Sequence, residues 1–177
     1  IRTGLGQFFM DLAVSLAGRT RGGPAKVAVV SSALYGTLSG SSVSNVYTTG
    51  AFSIPLMKQM GYRPQFAGAV EAAAGVGGMI MPPIMGVGAF VMAEMTSIPY
   101  WTIAKSAALA AVLYYLGVFA MVHLEAVKIG LRPVTRSEIP PLRSVLPRSY
   151  LLSPIVLLVM LLVMGYTPVF SGMLAIV

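Results

Sequence analysis

Residues 39–45 read SGSSVSN, a run in which the hydroxyls of Ser39, Ser41 and Ser42 and the side-chain amide of Asn45 surround Gly40. No charged residue falls within 27–57. Neutral oxygens so placed suit a small hard cation such as Na⁺, and Gly40 permits close backbone approach. Ser44 or Asn45 can cap a following helical arm, whose N-terminal dipole attracts a carboxylate. The same residue types also let helices pack closely, so packing stands beside binding as a reading of the run. A second group lies in GVGGMIMPPIMG, 75–86, with Gly78, Met81, Pro82 and Pro83. The paired prolines lack amide donors and disfavour helix in the residues before them, which releases carbonyls or simply kinks the chain.

Carboxylates form the third group. Asp11, Glu71 and Glu94 lie in or near apolar stretches. An ionised group inside a membrane needs a partner, so Asp11 and Glu71 are candidate intramembrane acids, Asp11 foremost. Glu71, two turns into its helix, is placed to pair with a basic residue; Glu94 falls near the outer interface. His123 reads as an interface residue rather than a proton carrier. With one His and no Cys, the sequence offers neither a metal cluster nor thiol chemistry, and GxxxxGK[ST] is absent. Nothing here points to an enzyme, and no cofactor is expected.

The elements that must position these groups are membrane helices. Of 177 residues 56% are hydrophobic and only 10% charged, against about 25% charged in an ordinary globular domain. The charge-free stretches 27–57, 72–93, 106–122 and 149–177 approach or exceed the ~20 residues a spanning helix needs. The fold class expected is all-α, a polytopic membrane protein. The net charge of +7 sits in short links between apolar spans, which membrane topology explains better than nucleic-acid binding. Segment 27–57 is divided by SGSSVSN into arms of about 27–38 and 46–57, each too short to span, so a re-entrant hairpin is expected. Arg19, Arg21 and Lys26 before it and Lys58 and Arg63 after it put both ends on the cytoplasmic side. Segment 64–94 would be about 46 Å long as one helix and is expected to break at 77–86. A long helix over 101–125 follows, then a cytoplasmic loop over 129–148 with several prolines and arginines. A further crossing is expected over 149–166, within a stretch, 149–177, that starts the following membrane segments.

SGSSVSNVYTTG (39–50), IPLMKQMGY (54–62) and EAAAGVGGMIMPPIMGVGAFVMAE (71–94) resemble the large membrane subunit of tripartite ATP-independent periplasmic (TRAP) transporters, nearest to the fused permeases of the TAXI type. The signature covers roughly 31–94. The resemblance implies an elevator-type carrier with Na⁺ as its coupling ion, with residues 1–128 part of the transport domain's first repeat and the chain a fragment of a longer permease. It implies that Ser39, Gly40, Ser41, Ser42 and Asn45 form a hairpin tip near one Na⁺ site and the solute. It sets Gly78, Met81, Pro82 and Pro83 on the broken helix facing that tip. It implies a multi-pass protein of the bacterial or archaeal inner membrane, with a periplasmic solute-binding protein, a small membrane subunit and membrane lipid as partners and a carboxylate as solute. Many relatives specific for C4-dicarboxylates or sialic acid carry serine after the paired prolines. Here Ile84, Met85 and Gly86 follow, which favours the TAXI branch. A proton-coupled carrier, a channel-like pore and a structural subunit without a solute site are the alternatives.

Overall fold

The structure, a computed structural model, describes residues 5–18, 20–131, 150 and 152–176. Arg19 and nearly all of the expected loop 129–148, with Arg132, Arg136, Arg143 and Arg148, lie outside the described residues. The described residues are all-α: α1 Leu5–Ala17, α2 Gly23–Ser39, α3 Ser42–Gln59, α4 Pro64–Gly77, α5 Val87–Thr96, α6 Tyr100–Lys128, α7 Ser153–Val163 and α8 Pro168–Ile176.

The chain between α2 and α3 turns back within two residues. Gly40 adopts φ 55 and its amide closes the last turn of α2 on the Gly36 carbonyl. Ser41 is extended, and its side chain accepts from the Ser44 amide at 3.4 Å to start α3. Left-handed backbone followed by a serine cap ends one helix and begins another with almost no loop. The polar run is therefore mostly helical, because its hydroxyls and Gly40 serve as caps. The arms are correspondingly longer than the sequence suggested. α2 has 17 residues and α3 has 18, roughly 26 and 27 Å at 1.5 Å per residue, still a little short of a ~30 Å hydrocarbon core.

α4 packs against both arms, and α6 lies across α2 and α4. The core at this junction is built largely of small residues, with Ala25, Ala28, Ala67, Ala74 and Ala126 around Met57, Tyr62 and Tyr115. Small side chains bring backbones together where dispersion and hydrogen bonds, not water expulsion, must hold helices. Tyr114 and Tyr115 donate to the carbonyls of Ala73 and Ala74 at 2.8 and 2.9 Å, fixing α6 to α4. α1 packs along α2 through Phe8, Phe9, Ala13 and Ala17.

Among the described residues α6, with 29, is the one helix long and apolar enough to cross a membrane. Its Leu109, Leu113, Leu116 and Leu124 are exposed, a face that suits lipid rather than water. The crossing expected over 149–166 is represented by α7, only 11 residues. That is about 17 Å of helix, too short to span alone.

Candidate functional site

The tip of the α2–α3 hairpin sits on the break between α4 and α5. The Ile84 amide donates to the Thr37 carbonyl at 3.4 Å. A methyl group on Gly40 would lie 1.9 Å from the Met85 carbonyl oxygen, and one on Gly36 would lie 2.5 Å from Gly78 Cα. Two backbones pass in contact at both places, which only glycine permits. The hairpin end thus meets the 78–86 segment at Gly78, Ile84, Met85 and Gly86; Met81, Pro82 and Pro83 lie between these contacts in the chain.

Within it the roles differ. Ser41 is exposed and caps α3, while Ser39 contacts the Ser41 backbone at 3.4 and 3.5 Å. Ser42 is half-buried in the first turn of α3. Asn45, included with the tip on sequence grounds, faces inward and is fully buried. Its amide nitrogen donates to the Ser32 carbonyl at 2.9 Å and the Gly75 carbonyl at 3.4 Å. The amide therefore clamps α2, α3 and α4 together one turn below the exposed tip.

Several carbonyls of the break are paired. Gly86 N donates to Met79 O at 2.7 Å and Met85 N to Met81 O at 3.3 Å. The Tyr100 hydroxyl reaches the carbonyls of Pro83, at 2.9 Å, and Ile84. Pairing of this kind satisfies backbone groups that unwinding frees. Exposed Ser41 and half-buried Ser42 carry the hydroxyls at the start of α3. Two helix starts also lie side by side, α3 behind Ser41 and α5 behind Gly86, since Gly40 touches Met85 and Gly86. The earliest amides of each helix have no acceptor inside it, so both ends carry partial positive charge.

Glu71 sits one layer deeper, fully buried, between α4 and both hairpin arms. Ser32 of α2 donates to Oε1 at 3.2 Å, Thr49 of α3 bonds the same oxygen, and Ser53 of α3 bonds Oε2. Gly50 makes room, for a methyl there would approach Glu71 Cγ to 3.0 Å. The expected basic partner is replaced by hydroxyls; among the described residues the ion pair present is Lys128–Glu125 at 3.6 Å. Asp11 lies half-buried in α1, on a different helix from this cluster. Glu94 is exposed in α5.

A contact missed at the sequence level is at the hairpin root. Lys26 is 3% exposed, its Nζ 3.0 Å from His123 Nδ1 and 5.0 Å from the centre of the Phe119 ring. Beside it Tyr62 reaches Gly22; burial, reinforced by Glu125, pushes this phenol in the α3–α4 turn up to about 12.

No group of three or more His, Cys, Asp or Glu side chains that could hold a metal ion occurs among the described residues. The sequence profile described as tripartite ATP-independent periplasmic transporter, DctM component, matches residues 1–177. The chain is 33% identical over 95 residues to the C4-dicarboxylate TRAP transporter large permease protein DctM of Pseudomonas aeruginosa, covering 54% of this chain and 22% of that protein. It is 34% identical over 80 residues to the isethionate TRAP transporter permease protein DctMQ of Oleidesulfovibrio alaskensis, covering 45% and 13%. A putative TRAP transporter large permease protein of Haemophilus influenzae is 35% identical over 80 residues, covering 45% and 19%. The matched stretches thus span less than a quarter of each of these relatives.

Proposed function

The chain belongs to the DctM family of tripartite ATP-independent periplasmic transporters, and from that premise we propose that it forms part of the permease of a sodium-coupled carrier for organic acids. Members of this family are membrane carriers, not enzymes. The carrying observation is the seating of the hairpin tip on the α4–α5 break, with two helix starts and the Ser41 and Ser42 hydroxyls at one place. Partial positive charge from α3 and α5 suits a carboxylate, and neutral oxygens suit Na⁺. In this reading Ser39, Gly40, Ser41 and Ser42 meet ion and solute, Asn45 holds the tip's shape, and Gly78, Met81, Pro82 and Pro83 form the opposing wall.

The similarity to C4-dicarboxylate and isethionate permeases supports an organic anion as cargo. Ile84, Met85 and Gly86 after the prolines support a TAXI-type permease over a C4-dicarboxylate specialist. The hairpin 23–59 is read as re-entrant, and residues 1–128 as part of an elevator-type transport domain in a bacterial or archaeal inner membrane. A periplasmic binding protein delivers the solute, and a small membrane subunit completes the complex.

The test is uptake by the full complex in liposomes, with its binding protein, a panel of carboxylates and an imposed Na⁺ gradient. Uptake of one carboxylate that needs both the gradient and the binding protein is expected. Uptake indifferent to removal of both would overturn the reading.

A further inference from the structure

Glu71 is not needed for the tip chemistry, yet it is the most deeply enclosed acid among the described residues, and three hydroxyls converge on it from two other elements. The hydroxyl protons can be counted. Thr49 has one, but it faces four acceptors, the Asn45 carbonyl at 2.8 Å, Asn45 Oδ1 at 3.5 Å, Ser32 Oγ at 3.1 Å and Glu71 Oε1. Ser32 has one, and it faces Thr49 Oγ1 at 3.1 Å and Glu71 Oε1 at 3.2 Å. Ser53 has one, and it faces Glu71 Oε2.

A complete assignment exists for either protonation state. With Glu71 ionised, all three hydroxyls point at the carboxylate. With Glu71 neutral, its own O–H donates to Thr49 Oγ1, Thr49 turns to the Asn45 carbonyl, Ser32 bonds either neighbour and Ser53 stays on Oε2. Each hydroxyl is both donor and acceptor, so the same atoms satisfy both states. No buried side-chain polar atom is left unpaired among the described residues. The ionised state, however, holds a charge between three helices with neutral donors alone.

We propose that Glu71 is a proton-binding site that clasps α4 to both arms of the α2–α3 hairpin when loaded and loosens that junction when empty. Hydroxyls already stand against both carboxylate oxygens, and Gly50 closes on the side chain. Tyr115 of α6 lies within electrostatic reach of Glu71; the other titratable groups on the packed elements are engaged elsewhere. Tyr114 and Tyr115 of α6 donate to α4 carbonyls, Lys26 of α2 faces His123 of α6, and Tyr35 of α2 bonds Ser44 and Thr48. Tyr47 and Lys58 of α3 are exposed. The proposal does not depend on which ion drives transport, and its test uses neither solute nor a gradient.

Infrared difference spectra of the full-length permease in lipid nanodiscs, recorded across a pH series without Na⁺, read the proton directly. A titrating carboxylic-acid carbonyl band is expected, absent in Glu71→Gln. The glutamine amide mimics the neutral acid, so this variant should keep the wild-type thermal midpoint in acid and lose the wild type's decline toward alkaline pH. Ser53→Ala removes the hydroxyl bonded to Oε2, a donor that favours the ionised form, and should move the band's titration to higher pH. Identical wild-type and Glu71→Gln spectra would overturn the proposal. So would a Ser53→Ala titration that does not move, or a wild-type titration that shifts with Na⁺ at constant ionic strength, which would assign the site to a cation.

Discussion

At the scale of the residue, position 45 illustrates what a single amide holds. Asn45→Ala leaves the Ser32 and Gly75 carbonyls without this donor inside a closed junction. A loss of about 1–3 kcal/mol is expected, read as a fall in the thermal midpoint of the detergent-solubilised permease. Ser41→Ala, by contrast, touches an exposed hydroxyl and a cap worth about 1 kcal/mol. It should reduce Na⁺ stimulation of uptake far more than it lowers the midpoint; an equal reduction of both would make Ser41 a structural residue. The acid at 71 marks the limit of sequence reasoning. An isolated glutamate in an apolar stretch announces that it needs company. Its company, Ser32, Thr49 and Ser53, stands 39, 22 and 18 positions away on two other helices. None of the three is distinctive in the sequence, because hydroxyls at helical spacing look the same whether they bond their own backbone or a neighbour's carboxylate.

At the scale of the element, glycine positions decide how closely the helices approach. Gly36 and Gly78 meet backbone to backbone, and Gly75 meets Val46, where a methyl would stand 2.3 Å from Cγ2. Gly36→Ala should push the tip off the break and abolish uptake while leaving helix content by circular dichroism unchanged. Gly68→Ala is the matched control: it lies within α4 with nothing within 4 Å of the added methyl. It should be neutral or stabilising by up to about 1 kcal/mol, as alanine is the better helix former. The serine and glycine run marks the place of a bend in the sequence, but not its width. Caps draw polar residues into helix ends, so the bend contracts to Gly40 and Ser41. Likewise Pro82 and Pro83 disfavour helix locally, whereas the partner that steadies the unwound segment, Tyr100, comes from the start of α6 and carries no local signal.

At the scale of the molecule, the exposed apolar face of α6 sets the solvent the chain needs. Leu116, near the middle of that helix, is 58% exposed. Leu116→Arg should cost about 2.5–3.5 kcal/mol of insertion free energy and reduce the membrane-integrated fraction in a translocation assay, while Leu116→Ile should not. The hydropathy of that helix is plain in the sequence; the way the other helices gather beside it is not, because alanine-lined contacts leave no periodic signature. The Lys26–His123 contact beneath Phe119 gives this arrangement a mechanical asymmetry. An ammonium held by an imidazole and a ring face moors the hairpin's foot to α6, whereas its crown rests on a long amide bond and close glycine contacts.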